Sequence, residues 1–449
     1  MFRKYKPLAV ALILLGLPVW VSAQKKPLAL EAAVAAGIEA SPALHASLMR
    51  AESASAKARE IAAGRLPSFK LGGGYTRLSE IPPFAVSLPL FPNPIVVSQN
   101  YFNSFSLRLG VQQPLFTGFR LQAGEESARL LERSAGQDLE KDRAELVFQI
   151  KSVYWGLARA RELERLIDKN IRQLGEHLKD VRAFFDQGLL TKNDVLRAEL
   201  ELSNAELMKI DARNAAEITL STLNSLMGWP LDTDVDLTTS PGDRPQPETG
   251  TVGGQVLAGD RPRVEEALER RPELKSAEFR IRASEQGVKA ARAGYYPQVF
   301  LAGNYYYLRP NPRLLPALDK FRGTWDIGIS VSFDIWNWGQ TRSQAEQARA
   351  QLAQARDARK LLEDRAILEI TQSRLNLARA LDKIKLAGLT VTQAEENLRV
   401  TRERFKQGVA LSVDVLDADV ALLRAQVNRT QAAIDLELAR ASLDKAMGY

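Results

Sequence analysis

The segment FFDQGLLTKNDVL at residues 184–196 returns as RFKQGVALSVDVL at 404–416. At one constant offset, Phe185, Gln187, Gly188, Asp194, Val195 and Leu196 match Phe405, Gln407, Gly408, Asp414, Val415 and Leu416, and Met227-Gly228 matches Met447-Gly448. From 185 to 229, 14 of 45 positions are identical without a gap. Near the start of each half, Ser41-Pro42-Ala43-Leu44 faces Arg271-Pro272-Glu273-Leu274, and Pro67, Gly73, Tyr75 and Leu78 face Pro297, Gly303, Tyr305 and Leu308. The chain is therefore one unit used twice, over 24–229 and 263–449, with 230–262 as a connector rich in Pro, Gly, Asp and Thr. The first copy carries the longer loop, in the Pro-rich stretch Ile81–Ile95.

Each copy reads helix, strand, loop, strand, long helix, turn, helix. Residues 28–64 and 263–294 are rich in helix formers, and each run stops just before a proline. In Trp325–Trp336 the odd positions Trp325, Ile327, Ile329, Val331, Phe333 and Ile335 are apolar, while Asp326, Gly328, Ser330, Ser332 and Asp334 alternate with them. Phe105, Leu107, Leu109 and Val111 alternate in the same way with Ser106, Arg108, Gly110 and Gln112. This period of two predicts strands at about 68–78, 103–116, 298–308 and 324–336, in a sheet with one apolar and one wet face. Strands of about ten residues suit a tilted crossing of a bilayer, and the loops 79–101 and 309–323 then face the outside. No proline interrupts 118–185 or 339–405, so each long helix would extend roughly 100 Å and must pack lengthwise against others. Gly188 and Gly408 supply left-handed positions where the chain turns back. Thr191 with Asp194 reads as an N-cap pair, and Ser412 would have to cap the second returning helix.

Composition narrows the chemistry. The 449 residues contain no cysteine and only two histidines, His45 and His177, which removes disulfides, thiolate metal sites and thiol catalysis and leaves triads poorly supplied. Both histidines are read as ordinary polar helix positions, and neither a metal site nor a cofactor is expected. No nucleophile with its base is visible, so an exported hydrolase is disfavoured. Arg3, Lys4 and Lys6 precede the apolar run Leu8–Trp20 and the small residues Val21-Ser22-Ala23, which reads as a signal peptide over 1–23. A formal charge of +7, part of it in that leader, does not call for nucleic acid. No later stretch is long and apolar enough for a spanning helix, so a membrane crossing must use strands. Four strands cannot close on themselves and barrels need about eight, so at least two chains are required.

The order and duplication of Arg271-Pro272-Glu273-Leu274, of Val288-Lys289-Ala290-Ala291-Arg292-Ala293 up to Pro297, and of the two Gln-Gly turns ending in Asp-Val-Leu resemble the TolC-type outer-membrane efflux proteins over the whole mature chain. The resemblance implies an all-α-dominated chain with transmembrane β, in a homotrimer whose 12-stranded barrel in outer-membrane lipid continues as an α-helical tunnel in the periplasm. It implies a passive exit duct of a tripartite efflux or type I secretion system, working with a periplasmic adaptor and an inner-membrane pump, and no enzyme. It assigns Asp414 and Asp417, three apart on one helical face, to a carboxylate gate with Asp194 associated. It assigns the turns carrying Gln187, Gly188, Thr191, Gln407, Gly408 and Ser412 to adaptor docking. Ala410 stands where some relatives carry an arginine that locks the closed state. The competing reading, a periplasmic adaptor, would need one helical hairpin flanked by compact β domains, whereas this chain has two hairpins with strands between helices.

Overall fold

The computed structural model describes residues 26–80, 84–86, 89, 95–98, 101–241, 261–315 and 317–449. The signal-peptide reading and most of the connector lie outside them. In chain order the elements are β1 (Lys26–Leu28), α1 (Leu30–Ala40), α2 (Pro42–Ala63), β2 (Ser68–Arg77), β3 (Phe84–Val86), β4 (Ile95–Ser98), β5 (Asn103–Thr117), α3 (Arg120–Asp186), α4 (Lys192–Leu226), β6 (Val235–Leu237), α5 (Arg261–Arg270), α6 (Pro272–Ala291), β7 (Gln298–Arg309), β8 (Arg322–Ser332), α7 (Gln340–Lys406) and α8 (Ser412–Ala446). The chain divides into two compact units. One comprises the described parts of Met1–Ala40, Ile150–Pro247 and Lys383–Glu437, the other those of Ser41–Gln149, Glu248–Asp382 and Leu438–Tyr449.

Two expected helices are each broken in two. The run 28–64 divides between Ala40 and Pro42, and 263–294 between Arg270 and Pro272. Proline lacks the N–H that would continue the ladder, but it suits the first turn of a new helix. Ser41 caps α2 by accepting from Leu44 N, whereas Arg271 gives α6 no side-chain cap. Arg271 is instead buried, and its guanidinium meets the Glu369 carboxylate of α7.

The second unit holds a four-stranded antiparallel sheet in the order β2-β5-β7-β8, with β5 and β7, one from each half, side by side at its centre. The register aligns Tyr75 with Phe105, Leu109 with Tyr305, and Tyr305 with Trp325, so one face is apolar from edge to edge. That face is uncovered: Trp325, Ile327, Ile329 and Val331 are 65–70% exposed. Pro114 cannot donate to the ladder, and the β5–β7 register shifts between Pro114 and Phe116. The apolar alternation runs on to Ile335, yet β8 ends at Ser332, because Ser332 pairs with Gln298, the first residue of β7. Beyond that point β7 offers nothing further to pair with.

In the first unit β1 and β6 pair in parallel, and Tyr154 of α3, fully buried, donates its hydroxyl to Leu28 O at 3.0 Å. Alanine recurs along the buried side of α4 and α8. Ala198, Ala205 and Ala212 of α4 recur every seventh residue, as do Ala418, Ala425, Ala432, Ala439 and Ala446 of α8, and all are buried. A repeat of seven holds one helical stripe against its neighbours when the helices wind around each other in a left-handed sense.

The sheet's two faces give a direct test. Ile329 and Ser330 are neighbours on opposite faces; if the apolar face meets lipid, as the alternation predicts, a lysine there at mid-bilayer costs about 2–4 kcal/mol. Ile329→Lys is expected to deplete heat-modifiable oligomer in membrane extracts, with Ser330→Lys close to wild type. The β7–β8 loop tests orientation, with one correction to its expected exposure: Asn311 is only 1% exposed, its Nδ2 held by Arg322 O and Thr324 Oγ1, while Leu315 is 86% exposed. A cysteine at Leu315 should react with an impermeant reagent on whole cells, and one at Asn311 should not.

Candidate gate at the helical turns

Both long helices end in the same way. Gly188 and Gly408 lie at φ +76 and +73, where an L side chain is strained. Leu189 N donates to Phe184 O at 2.9 Å and Gly188 N to Phe185 O at 2.9 Å, and Val409 N and Gly408 N repeat this on Arg404 O and Phe405 O at 2.8 and 2.9 Å. These paired bonds satisfy the last helical carbonyls. A Cβ on either glycine would meet nothing within 4 Å, so the backbone conformation and not crowding selects glycine.

The returning helices start differently. Thr191 and Asp194 form a complete capping box: Asp194 N donates to Thr191 Oγ1, and the Asp194 carboxylate accepts from Thr191 N at 2.9 Å and Thr191 Oγ1 at 2.6 Å. The Thr191 side-chain and backbone hydrogen bonds hold the Asp194 carboxyl below its usual range. In α8 Leu411 offers no cap, and the Asp414 carboxylate accepts from Leu411 N at 2.9 Å, which is half of the same box. Ser412 does not cap. It is 2% exposed, and its hydroxyl meets His177 Nε2 of α3 at 2.9 Å, which also removes it from the surface that the turn presents.

Asp414 and Asp417 both lie on the exposed side of α8, one turn apart, while Val415, Leu416, Ala418 and Leu422 fill the buried side. Gln187, Gly188, Thr191, Gln407 and Gly408 are exposed at the two tips, with Leu189, Val409 and Leu411 beside them at 66–68% exposure. Ala410 packs at the margin of a cluster made by Val181, Leu398, Phe405, Val415, Ala418 and Leu422.

Beneath the tips lies a polar set that sequence reasoning missed. Asp419, 2% exposed, is bonded by the Asn170 amide and by Arg402 Nη2 at 3.1 Å. His177 is also buried, against the Phe405 ring at 5.1 Å between centroids. Burial pushes the Asp419 carboxyl up to about 6 against the pull of Arg402, Asn170 and Lys169. Burial, with Arg402, pushes the His177 imidazole down, opposed by Asp180 and Ser412. The sequence signal was present in the run Asp414, Asp417, Asp419: at helical spacing the first two share a face and the third points elsewhere. Among the described residues no three metal-ligating side chains cluster.

The outer membrane efflux protein profile matches residues 36–229 and 264–449, one match in each half. The outer membrane efflux protein BepC of Brucella suis biovar 1 is 26% identical over 353 residues, which cover 78% of this chain and 73% of BepC. The alkaline protease secretion protein AprF of Pseudomonas aeruginosa is 24% identical over 348 residues, covering 76% and 69% of the two chains. The solved structure of the outer membrane protein VceC of Vibrio cholerae has the same fold, with a TM-score of 0.77 at 20% identity over 93% of this chain and 96% of VceC.

The buried pair sets a pH response whose two parts oppose each other. Asp419, with its folded value raised, contributes stability that is present below its unfolded value of 3.8 and lost as pH rises to about 6. His177, with its folded value lowered, contributes stability that is present above 6.5 and lost as pH falls. On acidification from about pH 7 to about pH 5, Asp419→Asn should therefore lose hydrogen-exchange protection near residues 170–180, and His177→Gln should gain it.

Proposed function

Because the chain belongs to the outer membrane efflux protein family, we propose that three copies close a 12-stranded barrel in the outer membrane and extend it as a helical conduit into the periplasm, with Asp414 and Asp417 ringing its inner end. The chain is an outer-membrane channel of the efflux and secretion class, a passive duct and not an enzyme. The observation that carries the assembly is the open four-stranded sheet. Its apolar face is uncovered, and among the described residues neither edge, β2 or β8, has a further strand partner. In lipid each unpaired backbone group costs several kcal/mol, and pairing β8 of one copy with β2 of the next removes the whole cost.

A gate at the second turn is supported by two carboxylates that the fold leaves exposed side by side. Repeated around an axis, they would focus a negative potential on a narrow opening and attract cations. The exposed tips, with Leu189, Val409 and Leu411, offer a mixed polar and apolar surface that suits a periplasmic adaptor, and an inner-membrane pump completes the system. The adaptor reading of the chain itself finds no support, since the family matches both halves and the relatives are outer-membrane components.

Planar-bilayer recording tests the gate. A polyvalent cation on the periplasmic side should block wild-type current, and Asp414→Ala/Asp417→Ala should abolish block and weaken cation preference while oligomer remains. Unchanged block in the double variant would reduce these aspartates to helix-start residues.

A further inference from the structure

The wet face of the sheet carries an ordered stack of charge that a passive duct does not need. Arg108 of β5 places Nε and Nη2 on Asn304 Oδ1 of β7 at 3.0 and 2.7 Å. Asn304 Nδ2 donates to Asp326 Oδ1 of β8 at 2.8 Å, and Arg313, from the loop between β7 and β8, donates Nη2 to Asp326 Oδ2 at 2.7 Å. Both guanidiniums lie over the Tyr306 ring, that of Arg108 at 5.4 Å and that of Arg313 at 5.2 Å from its centroid. Arg313 is held in place by the buried Asn311, whose Oδ1 accepts from Arg313 N at 3.0 Å. Three strands and a loop thus converge on one aromatic ring.

The charges do not cancel. Two guanidiniums share one carboxylate, and each has five N–H donors. Arg108 uses two on Asn304, and Arg313 uses Nη1 on Trp325 O and Nη2 on Asp326. Donors therefore remain for a further acceptor, on side chains already fixed in orientation, so little rotamer entropy is lost when one arrives. We infer that Arg108 and Arg313, stacked on Tyr306, are specificity-determining residues that bind small multivalent anions, carrying phosphate, sulfate or several carboxylates, at the outer end of the conduit.

The inference rests on the barrel reading, which turns the wet face inward and brings three such stacks around one lumen. The stack lies in the outer half of the strands, because Tyr306 is three residues from Arg309, where β7 ends.

The test is side-specific block by inorganic tripolyphosphate in planar bilayers. Added on the outer side, it should block wild-type channels, and Arg108→Gln/Arg313→Gln should weaken the apparent affinity about tenfold or more, since bidentate charge-assisted contacts are lost. Arg309→Gln is the control: Arg309 pairs with Asp319 and lies on the apolar face with Phe105, so block should be unchanged. Absence of outer-side block in wild type would overturn the inference without any variant. So would equal block in Arg108→Gln/Arg313→Gln channels, or equal loss in Arg309→Gln. A wild-type chain that gives neither conductance nor heat-modifiable oligomer would instead overturn the barrel reading on which the site depends.

Discussion

The spacing between helices is the constraint from which the rest follows. A helix of 35 or 67 residues with a largely polar surface gains little by itself and persists only when packed along its length. Alanine at every seventh position of α4 and α8 puts the smallest side chain on the buried stripe and leaves little volume for rearrangement. Adding even one or two methylenes to such a seam overpacks it at about 1–3 kcal/mol. Larger side chains enter where the stripe widens, as with Leu174 and Leu416 against Ala205.

The seam also governs the chemistry at the tips. Because the apolar side of α8 is occupied by Val415, Ala418 and Leu422, the acidic side chains of its first turns are sorted by angle and not by sequence. Asp414 and Asp417 stay in water, and Asp419 is taken into the interior. An interior carboxylate survives there because Arg402 and Asn170 meet it. The same helix therefore carries acids with opposite environments within six residues. A comparable sorting occurs in the sheet, where a period of two places Ile329 on the apolar face and Ser330 on the opposite one.

Much of this is legible in the amino-acid sequence alone. The duplication, the alternation in 325–331, the turn glycines and the Thr191–Asp194 cap are all local signals, fixed by φ, by period or by neighbours within a few residues. What escapes depends on distant partners. The hydroxyl of Ser412 is used by His177, 235 positions away, so a capping rule applied to the turn alone assigns it the wrong role. Alternation makes β8 too long because it reports on a strand's own faces and not on where its neighbour stops. Asn311 has the sequence context of an exposed loop residue, yet its amide is buried against Arg322 O and Thr324 Oγ1 of β8. The breaks at Pro42 and Pro272 are within reach of sequence, since the rule that ends each helix at its last proline applies equally in the middle.

The placement of β5 beside β7 has a consequence for how the two halves are held together. Their ladder runs from Phe105 with Arg309 to Thr117 with Gln298, and it is the seam at which one copy of the unit meets the other within the sheet. Those backbone bonds do not depend on the halves sharing a chain. The connector 230–262 joins the two halves covalently, so this pairing is intramolecular and does not depend on protein concentration. Severing it would leave the ladder's geometry untouched and would make assembly depend on protein concentration, as in any two-component complex.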